Sequence, residues 1–145
     1  MKPLILKEFF IFNDPEGKNQ MNINHVALLI SNIKKGREFY SHILGLEEIK
    51  RPPFPIQGIW YQLGSSQLHL MLIENLKKPQ CHPDNVTVQP HFAISVSSEN
   101  YQAIIKKLSL SKIAVTEEPR LLHANTWQAF FYDDDGNMIE ITTTR

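Results

Sequence analysis

The sequence predicts an α+β fold made of two successive βαβββ modules, each with one strand, one helix and three further strands. The main observation is an internal repeat, because the order of apolar runs and turn signals in residues 22–74 recurs in residues 89–143. The second is size and composition, since 145 residues with 42% hydrophobic and 21% charged side chains suit a single domain with a sizeable core. Residues 75–88, which are polar and contain two prolines, are predicted to connect the modules.

The elements of module one follow from apolar runs separated by turn residues. Residues 22–30 form an apolar, β-branched run that suits a buried strand, and Ser31 stands where a helix N-cap is expected. Apolar residues then recur at helical spacing until Gly45, which can adopt the left-handed conformation that ends helices. Three strands are predicted next, at residues 46–50, 59–63 and 67–73.

Module two repeats this order. Residues 90–96 are predicted to form a strand, and Ser97 or Ser98 is expected to cap the helix that follows. The last two strands are expected to form a hairpin around Asp135-Gly136, a strong turn signal. The three strands after the helix are predicted at residues 113–117, 126–132 and 137–143.

Charge and cysteine content exclude several classes of function. The 15 Lys and Arg balance the 15 Asp and Glu, which gives no support for binding to nucleic acid or an anionic membrane. No apolar stretch approaches the length of a membrane span. Cys81 is the only cysteine, which excludes an intramolecular disulfide framework, so the cytoplasm is the default compartment. Any bound metal must be held by histidines and carboxylates.

The first twenty residues are predicted to be an appendage, so that the working domain spans residues 21–145. The segment from Asn13 to Lys18 reads as a turn or linker, and a strand-like run opens at Met21. The alternative, an extra edge strand packed on the domain, is equally compatible with the sequence.

Three of the six histidines, together with one glutamate, form the candidate functional site. His25 and His91 occupy equivalent places in the first strand of each module, and His69 and Glu140 occupy equivalent places in the last strand. Their sequence neighbours are apolar and alternate with them, so the four side chains are expected on the face of the sheet opposite the helices. Imidazole and carboxylate are ligands that divalent first-row metals accept, and four such ligands leave open positions on an octahedral ion.

Other candidates have weaker support. The remaining histidines are predicted to be structural or solvated, namely His42, His82 and His123. Aromatic residues that can wall a substrate pocket, although core packing is the commoner role, are Phe54, Trp60 and Trp127. Two cations beside proline-containing turns are candidates for an anionic substrate group, although surface solvation is again the commoner role: Arg51 and Arg120.

With these residues identified, the chain resembles the glyoxalase/bleomycin resistance/dioxygenase group, the vicinal oxygen chelate superfamily, over about residues 22–143. The resemblance depends on five phrases: INHVAL at 23–28, FYSHILGLE at 39–47, WYQLGSSQLHLM at 60–71, HFAISV at 91–96 and FFYDDDGNMIEI at 130–141. The last phrase is the most specific. In the family it usually reads D-P-D-G-N, whereas here Asp134 replaces the proline.

The resemblance implies that the two sheets curl into an open, partly closed barrel around one metal. By motif position the ligands would be His25, His69, His91 and Glu140, and Glu140 would be the general base. The ion would be Ni, Zn, Co, Mn or Fe(II), and it would chelate two adjacent oxygens of a small substrate and stabilise an enolate-like intermediate. A homodimer is expected by the same analogy.

Within the family, a metal-dependent lyase or isomerase of the glyoxalase type is the preferred prediction. Lactoylglutathione lyases usually have Glu at the position of His69, so the exact reaction stays open. Two alternatives remain: a ring-cleaving dioxygenase, and a ligand-binding or antibiotic-resistance module of the same fold.

Overall fold

A computed structural model of the chain describes residues 21–77, 89–119 and 125–144. The predicted appendage at residues 1–20 and most of the predicted connector lie outside the described residues, as do Cys81, His82, Arg120 and His123. Among the described helices, none is long and apolar enough to cross a membrane.

Module one has the predicted order of elements. Its strands are β1 (His25–Ile30), β2 (Glu47–Ile49), β3 (Gly58–Leu63) and β4 (Ser66–Leu72). The helical region between β1 and β2 begins as α1 (Ile33–Arg37) and continues as a π-helical segment (Glu38–Ile43), after which Gly45 turns the chain with a φ of 73°. The predicted left-handed helix end at Gly45 is therefore confirmed.

Module two has the same order. Its helix, α2 (Ser98–Leu110), is capped by Ser97, whose side chain accepts a hydrogen bond from the Asn100 backbone N–H. Its strands are β5 (His91–Ser95), β6 (Thr116–Pro119), β7 (Thr126–Tyr132) and β8 (Met138–Thr144). Strand β6 begins three residues later than predicted and includes Pro119, which was expected to follow it. A proline is tolerated there because β6 is an edge strand and needs no ladder donor on its open side.

The two sheets have the same topology, which confirms the predicted duplication. The strand order is β1-β4-β3-β2 in one sheet and β5-β8-β7-β6 in the other. In each sheet the first strand pairs in parallel with the last strand of its module, and the remaining pairs are antiparallel. The fold is therefore α+β with two βαβββ modules, as predicted. The sheets are not closed into a barrel in the single chain.

Strand alternation decides which face of each sheet is buried. In β4, Leu68 and Leu70 are fully buried with the helices, whereas His69 lies on the other face and is half-buried. In β8, Ile139 and Ile141 join the same core, and Glu140 projects to the opposite face. The core therefore lies on the helical side of both sheets, and the opposite faces carry the predicted metal ligands.

The predicted N-cap at Ser31 is wrong. Asn32 caps α1 instead, because its side-chain oxygen accepts the hydrogen bond from the Lys35 backbone N–H. Ser31 is committed to a distant partner, the Asp135 carboxylate, which accepts bonds from the Ser31 N–H at 3.0 Å and hydroxyl at 2.5 Å.

This contact belongs to a buried polar cluster that joins the modules, which we call the β7–β8 turn cluster (Asp133, Asp135 and Asn137 with Ser31 and Tyr40). The Asp133 carboxylate accepts bonds from the Tyr40 hydroxyl at 2.8 Å, from the Asn137 side chain at 2.8 Å, and from two backbone N–H groups of the turn. Burial raises the pKa of Asp133, and these donated bonds oppose the rise. The cluster fixes the turn before β8 against the end of β1.

Candidate metal centre

Two of the predicted ligands, His25 and His69, lie together on the open face of module one. Strands β1 and β4 are paired, and the two imidazole rings stack with centroids 4.4 Å apart and planes 15° from parallel. Trp60 on β3 stacks on the other side of His69, with centroids 3.8 Å apart. Three aromatic rings therefore form one continuous stack across the sheet.

Each of these histidines has one ring nitrogen committed to an amide side chain. His25 Nδ1 lies 2.8 Å from the Asn24 Oδ1, and His69 Nε2 lies 2.9 Å from the Gln67 Oε1. An amide oxygen accepts only, so in each case the histidine donates from that nitrogen, and its other nitrogen is the one that can bind a metal when the ring is neutral. Burial, followed by the neighbouring His25, lowers the pKa of His69, which favours the neutral form that binds metals.

The other two predicted ligands, His91 and Glu140, lie together on the open face of module two. The Nε2 atom of His91 is 3.1 Å from the Glu140 Oε2, and the side chains are 21% and 8% exposed. The His91 Nδ1 lies 2.6 Å from the backbone oxygen of Gln89. Phe130, which pairs with Glu140 across β7 and β8, packs edge-on against the His91 ring.

The donor chemistry of this pair fits a bound cation. The carbonyl of Gln89 can only accept, so His91 Nδ1 carries a proton and Nε2 is the nitrogen that can bind a metal. In the metal-free protein Nε2 faces the Glu140 carboxylate at 3.1 Å, the distance of an ordinary hydrogen bond or ion pair, and a divalent ion would replace the proton shared by the two groups. Two ligands at right angles on a divalent ion, each about 2.1 Å from it, lie about 3.0 Å apart. The observed separation therefore suits two neighbouring positions on one ion.

The four predicted ligands are thus arranged as two pairs, one on each sheet. Within the described parts of the chain, no three His, Cys, Asp or Glu side chains lie close enough together to hold a metal ion. Their joint role as one ligand set stays a prediction. The fourth described histidine, His42, is exposed on the helical region and lies 4.0 Å from Glu38.

A cavity of about 310 Å³ adjoins the module-one pair. Its wall includes Trp60 and Phe54, whereas Trp127 packs against the core. Arg51 also lines this cavity, but its guanidinium donates to the carbonyls of Phe54, Ile56 and Gly58 and so holds the proline-rich loop in place. Arg51 therefore stabilises the conformation of that loop.

Sequence reasoning missed Gln89 and Tyr132. Gln89 is buried beside His91, and its side-chain oxygen accepts a hydrogen bond from the Tyr132 hydroxyl at 2.9 Å. The only signal in the sequence is the position of Gln89 two residues before a predicted ligand, next to Pro90. A contact made through a backbone carbonyl leaves no pattern in residue types.

The fold defines a class of small proteins built from two βαβββ modules, and this chain carries its paired candidate ligands on the sheet faces opposite the helices. The sequence profile of the Glyoxalase/Bleomycin resistance protein/Dioxygenase superfamily matches residues 22–141, and the chain belongs to this superfamily. The resemblance inferred from the five sequence phrases is thereby confirmed.

Known proteins of this superfamily include metalloenzymes. The chain is 30% identical over 126 residues to Glyoxylase I 4 of Arabidopsis thaliana, covering 83% of this chain and 69% of that protein. A glyoxalase/dioxygenase from Nostoc punctiforme has the same fold, with a TM-score of 0.71, 24% identity, and coverage of 90% and 94%. The same fold is found in a FosX fosfomycin resistance protein variant from Listeria monocytogenes, complexed with Mn(II) and 1S,2S-dihydroxypropylphosphonic acid. The TM-score is 0.67 and the identity 17%, and the match covers 87% of this chain and 94% of that protein.

Proposed function

We propose that this protein is a metal-dependent lyase or isomerase of the glyoxalase type that acts on a small substrate with two adjacent oxygens. The observation that carries the proposal is the His91–Glu140 pair, in which an imidazole nitrogen and a carboxylate oxygen, both groups that bind divalent metals, lie 3.1 Å apart. The similarity to Glyoxylase I 4 supports the reaction class. The Mn(II) complex of the FosX variant, which shares the fold, supports a divalent ion. The candidates remain Ni, Zn, Co, Mn and Fe(II).

We assign separate roles in the proposed reaction to the metal ligands, to Glu140 and to the cavity. A divalent ion, when bound, supplies a Lewis acid for the two substrate oxygens. Glu140 lies on the face of β8 opposite the core and is buried there. Its carboxylate can take a proton from a carbon or oxygen of the substrate and return it. The cavity beside His25 and His69, walled by Trp60 and Phe54, receives the apolar part of the substrate and excludes water from it.

We propose further that a second copy of the chain completes the metal site. The module-one face is open, since His25, Ala27 and Leu29 are exposed along β1. The module-two pair is more covered, with the side chains of His91 and Glu140 21% and 8% exposed. Each sheet supplies only two of the four ligands, and the polar cluster and the helical core hold the modules together on their other side. Docking the module-one face on the module-two face of a partner brings one pair of each kind together, and two-fold symmetry makes two such sites.

Coexpression of two defective variants tests this sharing. His69→Ala and Glu140→Gln are each expected to lose the metal in a homodimer. In a mixed dimer, one site receives both defects and the other is intact, so random assembly is expected to restore about a quarter of the wild-type metal content. Metal content is measured by mass spectrometry on all chains purified together without chelators, and selecting the mixed dimer through different tags on the two chains is expected to raise it to about half. No restoration above the two single variants would contradict a shared site, and a wild-type protein without stoichiometric metal would contradict the metal centre itself.

Metal binding is also expected to change the fluorescence of Trp60. The lone pair of an imidazole lies in the ring plane, so two nearly parallel stacked rings cannot both direct lone pairs at one ion. His25 or His69 must rotate, and the Trp60–His69 contact at 3.8 Å then changes. The Trp127→Phe variant leaves Trp60 as the only tryptophan of the two in the chain. Titration of this variant with Mn(II) or Zn(II) that leaves its emission unchanged would contradict ligation by the stacked pair.

A further inference from the structure

The environment of His91 suggests how its ring is held for metal binding. The residue that accepts from its Nδ1 is Gln89, whose backbone carbonyl oxygen lies 2.6 Å away. Because Pro90 follows, the backbone of Gln89 is restricted to extended conformations, which limits the directions in which this carbonyl can point.

A second contact restrains Gln89 from the neighbouring part of the sheet. The Tyr132 hydroxyl at the end of β7 donates to the Gln89 side-chain oxygen at 2.9 Å. Gln89 is only 7% exposed, so this hydrogen bond lies in a poorly solvated place where water competes weakly. A single side chain on β7 therefore anchors the residue whose carbonyl faces His91.

We infer that Tyr132 is a positioning residue for the metal centre, acting through Gln89 to keep His91 in the tautomer with Nδ1 protonated and Nε2 directed at the ion. This inference rests on the proposed function, because it assigns Tyr132 a role in metal binding. The contacts that orient the His91 ring are present in the metal-free protein and can be tested there. Hydrogen bonds to the second nitrogen of a ligating histidine fix its tautomer and orientation in metal sites generally. Tyr132 differs from such partners because it acts one residue further away.

Tyr132→Phe removes only the hydroxyl, and its effect is measured in two ways. In the metal-free protein, at a pH at which the His91 ring is neutral, its ¹⁵N chemical shifts are expected to move from one tautomer towards a mixture of both. In a titration with Mn(II), followed by the electron paramagnetic resonance of the free ion, the dissociation constant is expected to rise about tenfold, the lower end of the range for outer partners of metal ligands. Tyr61→Phe is the matched control, since Tyr61 is also buried but faces the core, where its hydroxyl contacts Ser41 and none of the proposed ligands.

A second background tests the route through Gln89. Gln89→Met keeps the backbone carbonyl but removes the side-chain acceptor, so adding Tyr132→Phe to it is expected to cause no further loss. Unchanged His91 shifts in Tyr132→Phe, an equal effect of Tyr61→Phe, or an additive loss in the double variant would each overturn the inference. If the wild type binds no Mn(II), the proposed metal centre fails. The His91 shifts of the metal-free variants then still decide whether Tyr132 positions the ring.

Discussion

Replacing Glu140 with glutamine is expected to abolish turnover and to weaken metal binding by about a hundredfold, while changing the free energy of unfolding of the metal-free protein by only about 1 kcal/mol. Glu140 supplies the only negative charge among the four proposed ligands, and an amide oxygen is a much weaker ligand for a divalent ion. In the metal-free protein the contact with His91 Nε2, now 3.1 Å long, is kept as a hydrogen bond, because a glutamine side chain offers both a donor and an acceptor.

A large loss of metal binding with a small change in stability separates a ligand from a structural residue. The readouts are metal content of protein purified without chelators, activity once a substrate has been found, and urea unfolding of the metal-free protein. Glu48→Gln serves as a control, because Glu48 lies in an exposed ion pair with Arg37 in module one and should affect neither metal nor turnover. Wild-type metal content in Glu140→Gln would remove Glu140 from the ligand set, and wild-type activity would remove it from the mechanism.

The largest loss of stability is expected for Asp133→Ala, about 3 to 5 kcal/mol in the free energy of unfolding. The change deletes the acceptor for the buried Tyr40 hydroxyl and for three further donors of the β7–β8 turn cluster. A buried donor left without a partner costs about 1 to 3 kcal/mol, and Tyr40 is fully buried.

The neighbouring residue provides a matched control for this prediction. Asp134 has an exposed side chain and a single contact of 3.5 Å with Lys35, itself exposed. Asp134→Ala is therefore expected to change the free energy of unfolding by less than about 1 kcal/mol. Urea denaturation of the two variants gives the comparison directly. Equal losses at the two positions would mean that the turn sequence matters only locally and that the buried cluster does not join the modules.

Residue patterns were sufficient for the strands and for the duplication. Each strand has a local signature in alternating or continuous apolar residues, and the same signature placed His69 and Glu140 on the face opposite Leu68 and Ile139. Successive side chains of a strand point to opposite faces of the sheet, so alternating apolar residues show which face is buried without knowledge of the tertiary contacts.

Features set by distant contacts could not be predicted in this way. Ser31 has the residue type of an N-cap, but its hydroxyl bonds to Asp135, 104 residues away, and Asn32 caps α1 instead. The π-helical segment was missed for a related reason, since the Leu44 N–H bonds to the Phe39 carbonyl and one extra residue fits into the turn without altering the apolar spacing visibly.

In the candidate site, too, some residues could be predicted from local patterns and others could not. The residue types and equivalent positions of His25, His69, His91 and Glu140 were visible in the repeat, and the structure pairs them as His25 with His69 and His91 with Glu140. Tyr132 and Gln89 were invisible, because their contribution passes through a backbone carbonyl. Whether one chain or two supply the ligand set is likewise a matter of assembly, which no pattern within a single repeat encodes.

The separation of the ligands into two pairs has a thermodynamic consequence. If an ion needs one pair from each of two chains, metal binding and dimer formation are linked equilibria, and each must strengthen the other by the same factor. Dilution of the protein is then expected to release metal, and chelation to favour monomers, although no residue of the site has changed. The apparent affinity for the ion would depend on the concentration of the protein itself.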